Sequence, residues 1–247
     1  MTTTHSPLLA LLALTFFTFG ATAYAESDDE ADGFSARGEL GLVVNRGNSD
    51  SESANTRLEG IYTRGDWSNE SEAVGVYSRD SGRTSAARFT LGNRTDYSID
   101  DNTYVAAVLR YDRDRFSSFT YQGSASAAYG YRVFRTDRHR LRAEIGPGYR
   151  VSEVRDTGQS DNQFIVRTFL DYRWNVSDST ELTNRFLVES GKQNTFVENG
   201  LALSVAINSR VSLKTGLTIR HNTDVEPGRK NTDTLTTINL VYRFTDR

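Results

Sequence analysis

Residues 163–176 have the sequence QFIVRTFLDYRWNV, in which apolar and charged side chains alternate. One face of this stretch carries Phe164, Val166, Thr168, Leu170, Tyr172, Trp174 and Val176. The opposite face carries Arg167, Asp171 and Arg173. A period of two is typical of a β-strand, because successive side chains point to opposite faces of a sheet. The stretch exceeds the ~5–6 residues of a common globular strand, and it can cross a bilayer when tilted, which needs ~9–11 residues.

The same alternation recurs from Phe34 to the end of the chain. We predict twelve strands, at residues 34–46, 53–64, 67–79, 84–98, 103–113, 119–134, 140–152, 162–176, 179–189, 195–208, 211–223 and 232–244. Segments 67–79, 103–113 and 179–189 alternate less cleanly than the others. Connections after even-numbered segments are tight, and those after odd-numbered segments tend to be longer and polar, most clearly at 47–52, 155–161 and 224–231. Short turns at one rim and longer loops at the other are typical of a transmembrane β-barrel.

The positions of the aromatic residues indicate which face is outside. Near the short-turn rim the apolar face carries Tyr62, Trp67, Tyr97, Tyr131, Tyr172, Trp174, Tyr242 and Phe244. Near the long-loop rim it carries Tyr77, Tyr111, Tyr121, Tyr149 and Phe164. Aromatic rings prefer the membrane–water interface, whereas a sandwich core would scatter them along the strands. We therefore predict an all-β, up-and-down antiparallel transmembrane barrel of about 12 strands.

The composition excludes several other classes of protein. The chain has 247 residues and no cysteine, which excludes a disulfide scaffold and a thiolate zinc site. No apolar stretch reaches the ~18–20 residues of a membrane-spanning helix. The net charge of −3 gives no basic excess of the kind that favours nucleic acid. A hydrophobic fraction of only 37% agrees with a barrel, in which only alternate residues meet lipid.

The N-terminal region has the features of an export signal. Residues 8–19 form an apolar run, and Ala23-Tyr24-Ala25 is a small-x-small cleavage sequence, although no Lys or Arg precedes the run. We expect a signal peptide at residues 1–25, cleaved near Ala25, a flexible acidic segment at 26–33 and the barrel at 34–247. The expected location is the bacterial outer membrane.

Few residues suggest catalysis. His139 lies in a predicted turn and is interpreted as solvated, whereas His221 lies on the apolar face near the long-loop rim, where a lipid hydrolase would place its histidine. The acidic stretches 112–115 and 49–52 are interpreted as solvated loop tips that could otherwise touch divalent cations or lipopolysaccharide. Gly146-Pro147-Gly148 is not followed by a helix, so it predicts a strand irregularity rather than a phosphate loop. We expect no enzyme, cofactor or metal, with a lipid hydrolase as a minor alternative.

The predicted lumen is the one chemically distinctive place. Its charged candidates are Glu39, Arg57, Glu59, Arg88, Arg94, Asp96, Arg110, Arg142, Glu144, Arg167, Asp171, Arg173, Arg185, Lys214 and Arg220. These groups could form a salt-bridged plug, or they could line a narrow pore for small hydrophilic solutes or ions. The first hypothesis is a monomeric passive channel. The alternative is a closed barrel with a structural or envelope-stress role, whose loops contact lipopolysaccharide or partners.

The last strand closes with alternating Tyr242 and Phe244, which resembles the signal that outer-membrane barrels present to their assembly machinery. The first strand runs into Gly47-Asn48-Ser49-Asp50, the second begins with Ser/Thr/Asn-rich alternation, and the last closes with Tyr242-Arg243-Phe244. In these features the chain resembles the YdiY-like family of unknown function, described as salt-induced outer-membrane proteins. The resemblance covers residues 34–244. It implies a small outer-membrane barrel tied to salt or envelope stress, and it implies no catalytic or ligand-binding residue.

Overall fold

The computed structural model describes residues 32–45 and 51–244. The predicted signal peptide, its cleavage site and residues 26–31 of the acidic segment lie outside the described residues. The described residues form β1 (Gly33–Asn45), β2 (Ser51–Arg64), β3 (Trp67–Asp80), β4 (Arg83–Ser98), β5 (Thr103–Asp114), β6 (Phe119–Arg135), β7 (His139–Val154), β8 (Ser160–Ser177), β9 (Thr180–Gly191), β10 (Thr195–Ala206), β11 (Val211–Asn222) and β12 (Thr232–Arg243).

Each strand pairs antiparallel with its sequence neighbours, and β1 pairs with β12 to close the barrel. The closing seam has Arg37 opposite Arg243 and Leu40 opposite Leu240. Closure leaves no edge strand with unpaired backbone groups, which is the condition for a sheet to cross a membrane. The predicted up-and-down barrel of twelve strands is confirmed.

The outward face is apolar and carries two aromatic belts. At the short-turn rim the rings of Trp67 and Tyr97 lie 4.9 Å apart, and at the long-loop rim those of Tyr149 and Phe164 lie 5.1 Å apart. Phe164 exposes 81% of its surface, which water would disfavour and lipid accommodates. The belts therefore lie where the sequence places them.

Within the described residues, no helix is long and apolar enough to span a membrane.

The turns at the short-turn rim follow the prediction. In the turn between β4 and β5, the Asp100 carboxylate accepts hydrogen bonds from the backbone N–H groups of Asn102 and Thr103, both at 2.8 Å. These bonds favour the ionised form and lower the pKa of Asp100 below its ordinary value.

One connection at the long-loop rim differs from the expected pattern. Only Ser81 and Gly82 separate β3 from β4, with φ angles of 49° and 81°. Positive φ at both positions is the backbone of a tight hairpin turn whose twist matches the flanking strands. This connection is therefore an exception to the tendency toward longer loops after odd-numbered strands, and it is shorter than residues 80–83, which the predicted strands leave between them.

Loops at the long-loop rim are joined to one another. Arg155 donates to the carbonyl oxygens of Asp114, Ser117 and Phe119 at 2.5–2.9 Å. Arg229 lies 3.1 Å from Glu226 and donates to the carbonyl of Phe116 at 2.9 Å. These bonds connect the loops at 115–118, 155–159 and 223–231 into one cover over part of the rim, which we call the rim cover.

Gly146 and Pro147 form the predicted irregularity. The pairing of β7 with β6 lapses between Tyr129↔Ile145 and Ser126↔Gly148, whereas the pairing of β7 with β8 continues without interruption. Because proline has no N–H to donate, the lapse is the physical consequence of its position in the ladder.

The charged lumen as candidate solute pathway

Alternation along the strands directs the charged candidates into the barrel. Most of them line one interior cavity: Glu39, Arg57, Arg88, Arg94, Arg110, Arg142, Arg167, Arg173, Arg185, Lys214 and Arg220. The other candidates form ion pairs with residues that line it: Glu59, Asp96, Glu144 and Asp171. The structure thus brings all of these residues to one lumen. Their role in solute passage stays a prediction.

Glu144 is the centre of the most deeply buried cluster. Its side chain is 0% exposed, and its two carboxylate oxygens lie 2.7 Å from Arg94 Nη1 and 2.7 Å from Arg167 Nη1. The hydroxyl of Tyr104 donates a third bond to it at 2.8 Å. Gly130 lies opposite Tyr104 in the ladder, where a Cβ atom would overlap the tyrosine ring. The carboxylate is therefore fully paired, as a buried charge must be.

Ion pairs cross the lumen near Glu70. Its carboxylate lies 3.8 Å from Arg142 and 3.7 Å from Arg185. Both arginines also pair with Asp171, at 2.9 and 3.7 Å. Because β3 and β9 stand six strands apart in a ring of twelve, the contact between Glu70 and Arg185 joins opposite walls.

A second crossing, which we call the brace, consists of Arg110, Asp112, Glu198 and Arg220. Arg110 lies 2.5 Å from Asp112 on its own strand and 2.8 Å from Glu198 on β10. Arg220 on β11 lies 3.2 Å from Asp112 and 2.6 Å from Glu198. Each charge has two partners of opposite sign, so the two arginines and the two carboxylates of the brace balance one another.

The brace divides the interior into two spaces. On one side lies the main cavity, of about 300 Å³, whose lining includes Arg173, Arg210 and Arg243 near the short-turn rim. On the other side lies a pocket of about 30 Å³ beneath the rim cover, lined in part by Ser117 and Phe119. The lumen is thus partly filled by side chains, and the main cavity adjoins the short-turn rim.

Several lumen charges were not among the sequence candidates: Arg37, Glu70, Glu72, Arg150, Glu189 and Glu198. Asp112 and Asp114 lie in β5 and pair with lumen arginines, so their interpretation as loop-tip residues is wrong. Residues 46–50 lie outside the described residues. Strict application of face parity on each strand would have found these charges.

The two described histidines take part in ordinary contacts. His139 is the first residue of β7, and its ring bonds the Tyr172 hydroxyl at 2.9 Å and stacks on Trp174. His139 also ends the predicted turn, because its carbonyl accepts from the Thr136 N–H at 2.9 Å, but its ring is partly covered rather than fully solvated. His221 bonds the hydroxyl of Thr232 at 2.9 Å rather than a serine–carboxylate pair. Among the described residues no group of three or more His, Cys, Asp or Glu side chains could hold a metal ion.

Tyr242 and Phe244 face outward at the end of β12, with their rings 5.2 Å apart in an edge-to-face contact. The Phe244 N–H donates to the Ala36 carbonyl at 2.9 Å, so the closing aromatic is held against the first strand. Recognition of this pair by the assembly machinery stays a prediction.

The fold is the one that outer-membrane β-barrels have. The chain is similar to the COG4313 outer membrane channel from Pseudomonas putida F1, with a TM-score of 0.54 and 12% identity over 90% of this chain and 100% of that one. It is also similar to the NanC porin, with a TM-score of 0.52 and 11% identity over 85% and 98% of the two chains. Both likenesses are likenesses of fold.

The particular family follows from sequence comparison. The model of the DUF481 family, proteins of unknown function, matches residues 38–244, and the chain belongs to this family. The uncharacterized protein YdiY of Escherichia coli (strain K12) is 27% identical over 205 residues, which cover 82% of this chain and 80% of YdiY. The resemblance to the YdiY-like family is confirmed, and the tie to salt or envelope stress stays a prediction.

Proposed function

We propose that this protein is a narrow passive channel for small hydrophilic solutes or ions in the bacterial outer membrane. The observation that carries the proposal is the cavity of about 300 Å³ lined by charged side chains within a closed barrel. The apolar exterior with its two aromatic belts fits the hydrocarbon layer and its interfaces. The outer-membrane channels of the same fold agree with this proposal.

The paired charges suit a hydrated passage. A fully apolar wall would exclude water, whereas carboxylates and guanidinium groups hold water and replace the hydration shells of passing polar solutes. The brace and the pair of Glu70 with Arg185 narrow the lumen, so we expect only small solutes to pass. Twelve strands lie between the filled eight-stranded barrels and the wide porins of about 16 strands.

Osmotic swelling of proteoliposomes tests this function. We expect vesicles that contain the folded protein to swell in isotonic glycine or a small sugar and to remain unchanged in a large oligosaccharide. Folding is verified by the heat-modifiable gel mobility of a barrel. Swelling no faster than in protein-free vesicles would contradict the proposal.

The brace is expected to limit the flux. Removing its two arginines with R110S and R220S together deletes the side chains that cross the lumen, so we expect solute entry to rise by roughly twofold or more. The matched control is R113S, because Arg113 lies on the same strand but faces outward and is exposed. An unchanged rate in the double variant would show that the brace does not lie on the solute path.

One observation favours the alternative of a closed structural barrel. The rim cover and the brace together obstruct the lumen at the long-loop rim. On this alternative the loops contact lipopolysaccharide or partners, and both the wild-type protein and the brace variant would be silent in the swelling assay.

A further inference from the structure

In several ion pairs of the lumen, the negative and the positive group lie at different distances from the barrel wall. Carboxylates on short stems stay close to the backbone, and Glu59 exposes 3% of its side chain. Its partner Arg37 exposes 32%, because a longer side chain carries the guanidinium toward the centre. Arg185 and Arg57 show similar exposure, at 29% and 28%. At these pairs a solute in the cavity meets guanidinium groups before it meets carboxylates, whereas at the brace Glu198 is 23% exposed and Arg110 and Arg220 are 16% and 14% exposed.

The lining of the cavity reflects this separation. Twelve arginines and one lysine line it, against six glutamates and no aspartate among the described residues. Four further carboxylates form ion pairs with the lining arginines but do not themselves line the cavity: Glu59, Asp96, Glu144 and Asp171. The inner surface is thus cationic although the nearby charges partly balance.

Four of these cations approach one another. Arg37, Arg57, Arg185 and Lys214 all line the cavity. Arg185 lies within Coulombic range of Arg37, as Arg57 and Arg37 do of Lys214, and like charges repel, although each of these cations also has a carboxylate partner. An anion placed among these groups would relieve that repulsion, which a cation would increase.

Unused hydrogen-bond donors provide an independent indication. Arg94 lines the cavity with a side chain only 10% exposed, and its Nη2 atom is buried without a hydrogen-bond partner. The Nε atoms of Arg37 and Arg88, which also line the cavity, are buried and unpartnered as well. A buried donor without an acceptor destabilises the folded protein. An oxyanion that reached these nitrogen atoms would supply the acceptors.

We propose that the cavity binds small oxyanions, carrying carboxylate, phosphate or sulfate groups, and that the channel passes anions in preference to cations. The preference for conducted anions rests on the proposed function, whereas the binding site does not require conduction. Guanidinium groups favour such ligands because their N–H groups match two oxygens at once.

Reversal potentials in planar bilayers under a KCl gradient test the selectivity. We expect chloride to be favoured over potassium by at least roughly threefold, and the double variant R57Q/R185Q to lower that ratio toward one. The matched control is R64Q, since Arg64 lies on the same strand as Arg57 but faces outward at the rim. Heat-modifiable mobility establishes that the variants are folded. A preference for potassium, or an unchanged ratio in R57Q/R185Q, would overturn the proposal of selectivity.

Binding of inorganic phosphate is measured separately on detergent-solubilised protein. At constant ionic strength, replacing chloride with phosphate should raise the midpoint of thermal unfolding of the wild type and of R64Q, because a ligand that binds the folded state stabilises it. The shift should be at least halved in R57Q/R185Q. A protein that is silent in bilayers but shifted by phosphate refutes the channel and retains the site; a wild type that phosphate does not shift refutes the site.

Discussion

Replacing Glu144 with alanine is expected to lower the free energy of unfolding by about 3–5 kcal/mol, the usual cost of removing one partner of a buried ion pair. The change leaves the guanidinium groups of Arg94 and Arg167 and the hydroxyl of Tyr104 without their shared acceptor. Tyr104 exposes 1% of its surface, and Arg94 and Arg167 expose 10% and 6% of their side chains, so water from the cavity restores the lost bonds only in part.

The measurement is urea unfolding of the protein refolded in detergent or lipid, followed by tryptophan fluorescence and by heat-modifiable mobility. The control is E153A, because Glu153 lies near the far end of the same strand and on its opposite face. We expect E153A to change the stability by less than about 0.5 kcal/mol. Equal stabilities of E144A and E153A would show that the Glu144 cluster does not stabilise the barrel.

Reversing two charges, in R57E/R185E, is expected to invert the ion preference of the channel from anions to cations. Each reversal changes the local charge by two units, and two charges about 4 Å apart interact by about 4 kcal/mol near a protein surface before screening. A tenfold change in the permeability ratio corresponds to only about 1.4 kcal/mol, so the predicted inversion is well within this range.

Ionic strength provides a check on this prediction. The Debye length falls from about 10 Å at 0.1 M salt to about 3 Å at 1 M, so the ion preferences of wild type and variant should converge as KCl is raised. R64E serves as the control, since it makes the same change outside the lumen. Retention of the wild-type preference in folded R57E/R185E would contradict the assignment of these arginines to the ion path.

The fold could be predicted from alternation because the barrel uses the two faces of each strand differently. The three segments with weak alternation have physical explanations. On β3 the outward residues Asn69 and Ser71 hydrogen-bond Asn93 and Thr95 on β4. The members of this polar cluster hydrogen-bond one another within the apolar band. Because both faces of β3 are polar here, the alternation did not identify Glu70 and Glu72 as inward-facing.

The other two weak segments fail for related reasons. On β9 the outward Asn184 bonds Asn199 of β10 at 3.3 Å, which makes the lipid face polar at that point. On β5 the inward Tyr104 and Ala106 pack with Ala128, so that both faces of the strand are apolar there. In each segment a local contact lets one face depart from the usual pattern of apolar residues outward and polar residues inward.

The arrangement inside the lumen could not be predicted from the sequence. Strand pairing sets which residues are neighbours along the wall, but Arg110 and Glu198 are 88 positions apart and meet across the barrel. Their contact depends on strand tilt, stagger and side-chain length together. The sequence could therefore indicate a charged lumen, and it could not distinguish a brace from an open pore.

Single-channel recording in planar lipid bilayers tests the channel most directly. We expect the folded wild-type protein to insert with small, discrete conductance steps, and we expect the step size to shift when Arg94 or Arg167 is replaced with alanine, because both side chains line the cavity. Insertion of folded, heat-modifiable protein that remains electrically silent would contradict the account.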